Sequence, residues 1–207
     1  FFSTRERLRP AVDQKGDLKG DVLQLWSNKP WLTVLAVGVL TLLWTTVRNS
    51  AALYYLKYCI GADDDRISWF LALGTAGVLA GVAATSFLER RLGGKKRAYV
   101  ILTLATAALS CGFYFLDRDD MLFLFALHIV GQAISGPLMP LFWSMVADTA
   151  DYSEWKSGRR ATGLIFSAGT LSQKSGGALG GAVAGVYLGW IGYVANAPQS
   201  AETIAGL

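Results

Sequence analysis

Five long stretches of this chain carry almost no charge, and short clusters of charged residues separate them. Four charge-free runs extend from Pro30 to Val47, Ile67 to Leu88, Ala98 to Leu116 and Met121 to Ala147. A fifth, from Ala161 to Ala201, is interrupted only by Lys174. A helix needs about 20 predominantly apolar residues to cross the hydrocarbon core of a bilayer. Helices of a soluble domain carry a polar face, and these runs are too long and too uniformly apolar to offer one. In lipid, any open structure would strand its backbone polar groups, so each run is predicted to be helical. The expected spans are Trp31–Leu56, Ile67–Leu88, Ala98–Leu116, Met121–Ala147 and Ala161–Tyr193, numbered one to five. The fold class is therefore an all-α membrane helix bundle.

Charge then sets an orientation. The chain has 207 residues with a net charge of +4, and only 16% of its residues are charged. The basic residues sit at the ends of apolar runs, as topology signals do, and not in a patch suited to nucleic acid, so no nucleic-acid partner is expected. Arg5, Arg7, Arg9, Lys15, Lys19 and Lys29 precede span one. Arg90, Arg91, Lys95, Lys96 and Arg97 follow span two, and Lys156, Arg159 and Arg160 follow span four. These fourteen share one side, while Lys57, Arg66 and Arg118 make three on the other. The excess places the N-terminal segment in the cytoplasm. The opposite loops, Asp63-Asp64-Asp65-Arg66 and Asp117-Arg118-Asp119-Asp120, are short and acidic. The start without Met, and a tail from Ala195 to Leu207 that reads as a loop leading into a sixth span, are expected of an excerpt. Residues 1–30 are read as a polar connector with a short surface helix at Val22-Leu23-Gln24-Leu25-Trp26, and 31–207 as the membrane bundle.

The candidate chemistry lies inside the spans. Lys174 falls near the middle of span five, and an ammonium at that depth costs roughly 2.5 kcal/mol or more unless it faces a polar cavity or a carboxylate. Thr170 and Ser167 precede it by four and seven residues on the same helical face, with Gln173 beside it. Hydroxyl, amide and amine groups in one stripe suit a hydroxyl-rich solute. Gly176-Gly177-Ala178-Leu179-Gly180-Gly181 and Gly185 form overlapping small-xxx-small patterns, which permit close helix approach. Arg48, followed by Asn49, is a second intramembrane cation, read as lining an outer vestibule or snorkelling outward. Tyr54, Tyr55 and Tyr58 form an interfacial aromatic set. Gly136-Pro137 and Pro140 predict a kink in span four, and His128 is read as packed between helices. None of the five spans contains Asp or Glu, although a desolvated cation needs oxygen donors. With one histidine and two unspaced cysteines, neither an enzyme nor a metal site is expected.

The segment Ala147-Asp148-Thr149-Ala150-Asp151-Tyr152-Ser153-Glu154-Trp155-Lys156-Ser157-Gly158-Arg159-Arg160 closely resembles a signature of the glycoside–pentoside–hexuronide:cation symporters, the melibiose-permease-like branch of the major facilitator superfamily. Phe1-Phe2-Ser3-Thr4-Arg5-Glu6-Arg7 is similar to that family's central cytoplasmic loop, and Tyr54-Tyr55-Leu56-Lys57-Tyr58 to the end of its seventh helix. The resemblance implies helices seven to eleven of twelve, in the C-terminal of two six-helix bundles, with the site between the bundles near the midplane.

On this resemblance Lys174 falls on the eleventh-helix lysine associated with the sugar and cation sites, and Thr170 on a cavity-lining position. Asp148, Asp151, Tyr152 and Glu154, with Lys156, Arg159 and Arg160, fall on a loop associated with conformational switching. The expected substrate set is Lys174, Thr170, Gln173 and Arg48. The resemblance implies a sugar substrate and Na⁺, Li⁺ or H⁺ as coupling ion, with the cation ligands in an N-terminal six-helix half outside this sequence. The expected setting is the cell membrane, multi-pass, with the lipid bilayer as a further partner. A carrier for a non-sugar solute and a non-transporting sugar sensor are the alternatives.

Overall fold

The computed structural model describes residues 22, 25–115, 120–158, 161–195 and 197–207. The described residues form helices and connecting turns, with no strand among them. In chain order the helices are α1 (Lys29–Tyr54), α2 (Asp64–Ala83), α3 (Thr85–Arg91), α4 (Lys95–Gly112), α5 (Met121–Ser135), α6 (Leu138–Ser157), α7 (Thr162–Trp190) and the short α8 (Ala201–Gly206).

Local chemistry explains where the helices begin and end. The Asn28 side chain accepts a hydrogen bond from the Trp31 backbone N–H at 3.1 Å, and Pro30 sits in the first turn, where its missing N–H costs nothing. Asp63 caps α2 in the same way through the Arg66 N–H at 2.9 Å, and Asp64 and Asp65 add negative charge at the helix start. Past Tyr54 the chain widens into one π-helical turn, Tyr55–Cys59. Gly158, at φ +68°, ends α6 in the left-handed conformation that glycine adopts without strain.

Four segments are long and apolar enough to cross a membrane: Lys29–Cys59, Asp64–Ala83, Lys95–Phe115 and Met121–Ser157. The predicted kink in the fourth is present, because α5 stops at Ser135 and α6 starts after Gly136-Pro137. Pro140 falls in the first turn of α6 and breaks nothing further. Span two differs from expectation. It ends at Ala83, and α3 follows a turn at Ala84. The fifth expected span, α7, has 29 residues, about 43 Å of helix, but it is not apolar enough to join the other four. Its glycines, Ser167, Thr170, Gln173 and Lys174 dilute the apolar surface.

Close backbone approach places α7. It packs along α1 more extensively than any other two elements pack. A Cβ added at Gly180 would lie 2.7 Å from the Leu43 carbonyl oxygen, and one at Gly176 would collide with the Val39 carbonyl. Only part of the glycine run is used this way: Gly181 and Gly185 have nothing within 4 Å of their Cβ positions. A second glycine-mediated pair joins α2 to α5. A Cβ at Gly77 would approach the Ile129 carbonyl oxygen at 2.7 Å.

Two apolar cores fill the bundle. Leu25, Trp31, Leu141, Phe142, Val146 and Ile165 form one at the basic end, and Leu56, Ala62, Phe70 and Leu124 the other at the acidic end. Leu25 corrects the expectation of a purely superficial helix before span one, because it is buried in the first core while Trp26 stays exposed. Large apolar side chains such as Leu40, Trp69, Leu79 and Phe123 remain on the outside, where lipid contacts favour them.

Candidate solute-binding site

Helix α1 carries Gly38, Thr41, Thr45 and Asn49 at three- and four-residue spacing, so they fall along one face. That face borders a cavity of about 190 Å³. Gln132 and Ser135 at the end of α5, Gln173 on α7, Tyr99 on α4 and Met139 on α6 complete its polar and apolar walls. The Thr41 hydroxyl and Tyr99 hydroxyl are 2.7 Å apart. Ser135 Oγ donates to the Gln132 backbone carbonyl at 3.0 Å, and Gln173 Nε2 lies 3.0 Å from Met139 Sδ. The break at Gly136-Pro137 helps to open this space, because both Gln132 and Ser135 stand in the last turn before it. The result is an intramembrane cavity with several hydroxyls, three primary amides and no carboxylate on its walls. Such a lining binds through neutral hydrogen bonds.

The sequence-predicted residues separate into three places. Gln173 lines the cavity. Thr170 and Lys174 do not. Both are exposed, on the side of α7 turned away from the packed face formed by Gly169, Ser172, Gly176 and Gly180. The Thr170 hydroxyl donates to the Phe166 carbonyl at 3.1 Å. Lys174 shares its uncovered stripe with Ser167 before it and with Gly181 and Gly185 after it. Among the described helices nothing covers this stripe.

Arg48 is in the third place. It does not snorkel: it is 9% exposed and its guanidinium lies against Gly131 of α5. Nη1 donates to Gln132 Oε1 at 3.4 Å, while Nε and Nη2 are buried with no hydrogen-bond partner among the described atoms. His128 is buried between helices, as expected, with its ring stacked on Phe70 at a centroid distance of 3.7 Å.

The expected switch loop is corrected to a helix as far as Ser157. Asp148, Asp151, Tyr152, Glu154 and Lys156 all lie on α6. The α6 hydrogen-bond ladder continues past the apolar run because no breaker intervenes before Gly158. Arg159 and Arg160 lie outside the described residues. Asp148 is gripped within its own bundle, with Lys95 Nζ at 2.7 and 2.8 Å from its two oxygens. Lys156 reaches back to the Ser27 carbonyl at 3.5 Å, and Asn28 Nδ2 donates to the Thr149 carbonyl at 3.2 Å. The start of α1 is thereby tied to the end of α6.

At the acidic end Tyr54 and Tyr58 meet Tyr193, with the Tyr58 and Tyr193 hydroxyls 2.8 Å apart. Sequence reasoning placed the first two but missed their third partner. It also missed Thr41, Thr45, Gln132 and Ser135. The stripe of Thr41, Thr45 and Asn49 on an otherwise apolar run was the available signal.

The whole chain, residues 1–207, matches the family described as MFS/sugar transport protein. The chain belongs to that family. It is 31% identical over 196 residues to the putative glycoside/cation symporter YagG of Escherichia coli K12, covering 95% of this chain and 42% of that protein. It is 31% identical over 205 residues to the isoprimeverose transporter of Lactiplantibacillus pentosus, covering 99% and 42%. It is 30% identical over 210 residues to the glucuronide carrier protein homolog of Escherichia coli K12, covering 100% and 45%. The chain thus spans less than half the length of these curated relatives. With four membrane-capable helices, this family member is a multi-pass membrane protein.

Proposed function

We propose that this chain is the C-terminal bundle of a cation-coupled sugar symporter working by alternating access. The observation that carries the reading is the cavity of about 190 Å³ walled by hydroxyl and amide side chains between membrane-capable helices. A sugar presents many hydroxyls that both donate and accept, and Thr41, Thr45, Asn49, Gln132, Ser135 and Gln173 offer the complementary set. The relatives named as glycoside, isoprimeverose and glucuronide carriers support the same solute class.

In this reading residues 1–30 form the central cytoplasmic loop, and residues 31–207 the membrane bundle, with residue 1 on the cytoplasmic side. An N-terminal six-helix half covers the open stripe of α7. Lys174 and Thr170 then face that half across the translocation path. A solvated or carboxylate-lined path gives the Lys174 ammonium the setting that lipid denies it. The coupling ion, Na⁺, Li⁺ or H⁺, is held by carboxylates of the same half. Lys174 senses those carboxylates electrostatically, so cation binding and sugar binding become linked through one charge. Asp151 and Glu154, exposed at the basic end of α6, supply inward-side contacts that change as the cavity opens. Asp148 contributes by holding α6 to α4 through Lys95.

The test is uptake by the full-length protein in vesicles, with labelled glycosides and an imposed sodium or proton gradient. Gradient-driven uptake that disappears in Lys174→Ala is the expected result. Wild-type uptake indifferent to every cation gradient would refute symport and leave a facilitator.

A further inference from the structure

Gln132 joins two polar features of this bundle. Its side chain lines the cavity of about 190 Å³, and its Oε1 accepts from Arg48 Nη1 at 3.4 Å. Arg48 itself is not on the walls of that cavity. Its guanidinium is seated against Gly131, where a Cβ would collide with it, and Nε and Nη2 are fully buried. Nη1 is therefore the edge through which Arg48 acts, and Gln132 is what it meets.

An amide side chain can turn either end toward a neighbour, because its oxygen and nitrogen differ little in size. Beside arginine that freedom is lost. A guanidinium carries five N–H donors and no acceptor, so only the Gln132 carbonyl oxygen can face it. Reversing the amide would set donor against donor next to a buried charge. Ser135 Oγ, also 3.4 Å from Oε1, adds a second group able to donate on that side. The amide nitrogen is left on the other side. Nε2 has no hydrogen-bond partner among the described residues and, unlike Arg48 Nε and Nη2, is not sealed off. Gln173 on α7 has the opposite bias. Its Nε2 lies 3.0 Å from Met139 Sδ, a thioether that only accepts, so its carbonyl oxygen is the end left to a solute.

We propose that Arg48 is a positioning residue for the solute site: it fixes the Gln132 amide so that Gln132 donates, and does not accept, toward the bound sugar. This inference rests on the sugar-transport reading above and gives that site a polarity. The sugar atom that meets Gln132 is an oxygen used as acceptor, such as a ring or glycosidic oxygen with no proton to give. Hydroxyl protons are directed to Gln173 instead. The guanidinium touches no solute and acts only through Gln132.

The experiment uses purified full-length protein with glutamine labelled by ¹³C at its side-chain carbonyl. The infrared difference between wild type and Gln132→Leu isolates the Gln132 carbonyl band with no solute present. In Arg48→Gln that band should move to higher frequency, because its oxygen has lost a charge-assisted bond. Arg48→Lys also presents only donors and should hold the band near its wild-type position. Binding of isoprimeverose and methyl β-D-glucoside is then followed by titration calorimetry. Arg48→Gln should lose roughly 3- to 10-fold in affinity with no fall in thermal midpoint, and Arg48→Lys should restore most of it. Gln132→Glu keeps an oxygen toward Arg48 but puts a second oxygen where the N–H₂ group stood, and should lose roughly 10- to 100-fold. That variant keeps the test decisive if Arg48→Gln folds poorly. An unmoved band in Arg48→Gln, or wild-type affinity in Gln132→Glu, overturns the proposal. So does a loss of affinity in Arg48→Gln that tracks a lower midpoint and that Arg48→Lys does not rescue, which is what a merely structural role gives. A band that moves as expected, in a protein that neither binds nor takes up any glycoside, keeps the fixed amide and overturns the sugar reading instead.

Discussion

Two cations, Arg48 and Lys174, lie within the expected membrane spans of this chain, and the fold treats them in opposite ways. Arg48 is turned into the bundle, between α1 and α5, and is almost fully enclosed. Lys174 is turned out of it, on the one long polar stripe of α7 that no described helix covers. The side chains have the same sign of charge and similar reach. What differs is the face of the helix each occupies relative to the close-packing residues. On α7 the packed face is set by Gly169, Ser172, Gly176 and Gly180, and Lys174 stands nearly opposite. On α1 the face carrying Thr41, Thr45 and Arg48 borders a cavity shared with α4, and Arg48 reaches across to Gly131 and Gln132 of α5. A charge enclosed by its own bundle must be neutralised locally. A charge on an open face waits for something that docks there.

The largest effect should come from destroying the packing that creates these two faces. Gly176→Leu drives a side chain into the Val39 carbonyl and should cost more than about 3 kcal/mol, read as lost monodisperse yield in detergent. Gly181→Leu, five residues further along on the open stripe, should fold normally and instead block transport. Equal yields for the two variants would show that the α1–α7 contact does not define the faces.

Arg48→Gln comes next, and its sign is the informative part. Removing a buried, incompletely paired charge should stabilise the ligand-free protein by on the order of 1–3 kcal/mol, read as a higher thermal midpoint. A fall in the midpoint would mean that Arg48 is already neutralised in the resting protein. Asp148→Asn removes the Lys95 pair, which is half exposed, and should lower stability by no more than about 1 kcal/mol. High salt should mimic that change. The smallest stability effect belongs to Lys174→Ala, expected within about 0.5 kcal/mol of wild type because the side chain is exposed. A large loss of stability there would place Lys174 in the packing of the bundle and erase its contrast with Arg48.

Much of the architecture is legible in the sequence because lipid imposes a simple rule. A run of about 20 residues without charge has few alternatives to a helix. The kink at Gly136-Pro137 is legible for an equally local reason, the missing proline N–H. The cavity was harder to read. Gln173 was named, but Thr41, Thr45, Gln132 and Ser135 come from helices distant in sequence, and their convergence depends on how α1, α5 and α7 cross. A lone Thr in an apolar run is chemically ambiguous, since its hydroxyl often bonds its own helix, as Thr170 does here. The extension of α6 through Asp148 to Ser157 was obscured because charged residues end an apolar run without ending a helix.

The sequence alone determined the membrane setting, the helical class, the kink and the family, because apolar run length, proline and a long signature are local properties. Only the tertiary structure decided which glycines touch a neighbour, which polar residues share a cavity, and which of two cations is enclosed. Those outcomes depend on helix rotation and crossing. A few ångströms of backbone approach at Gly176, Gly180 and Gly77 fix both, and neither is written in the periodicity of any one helix.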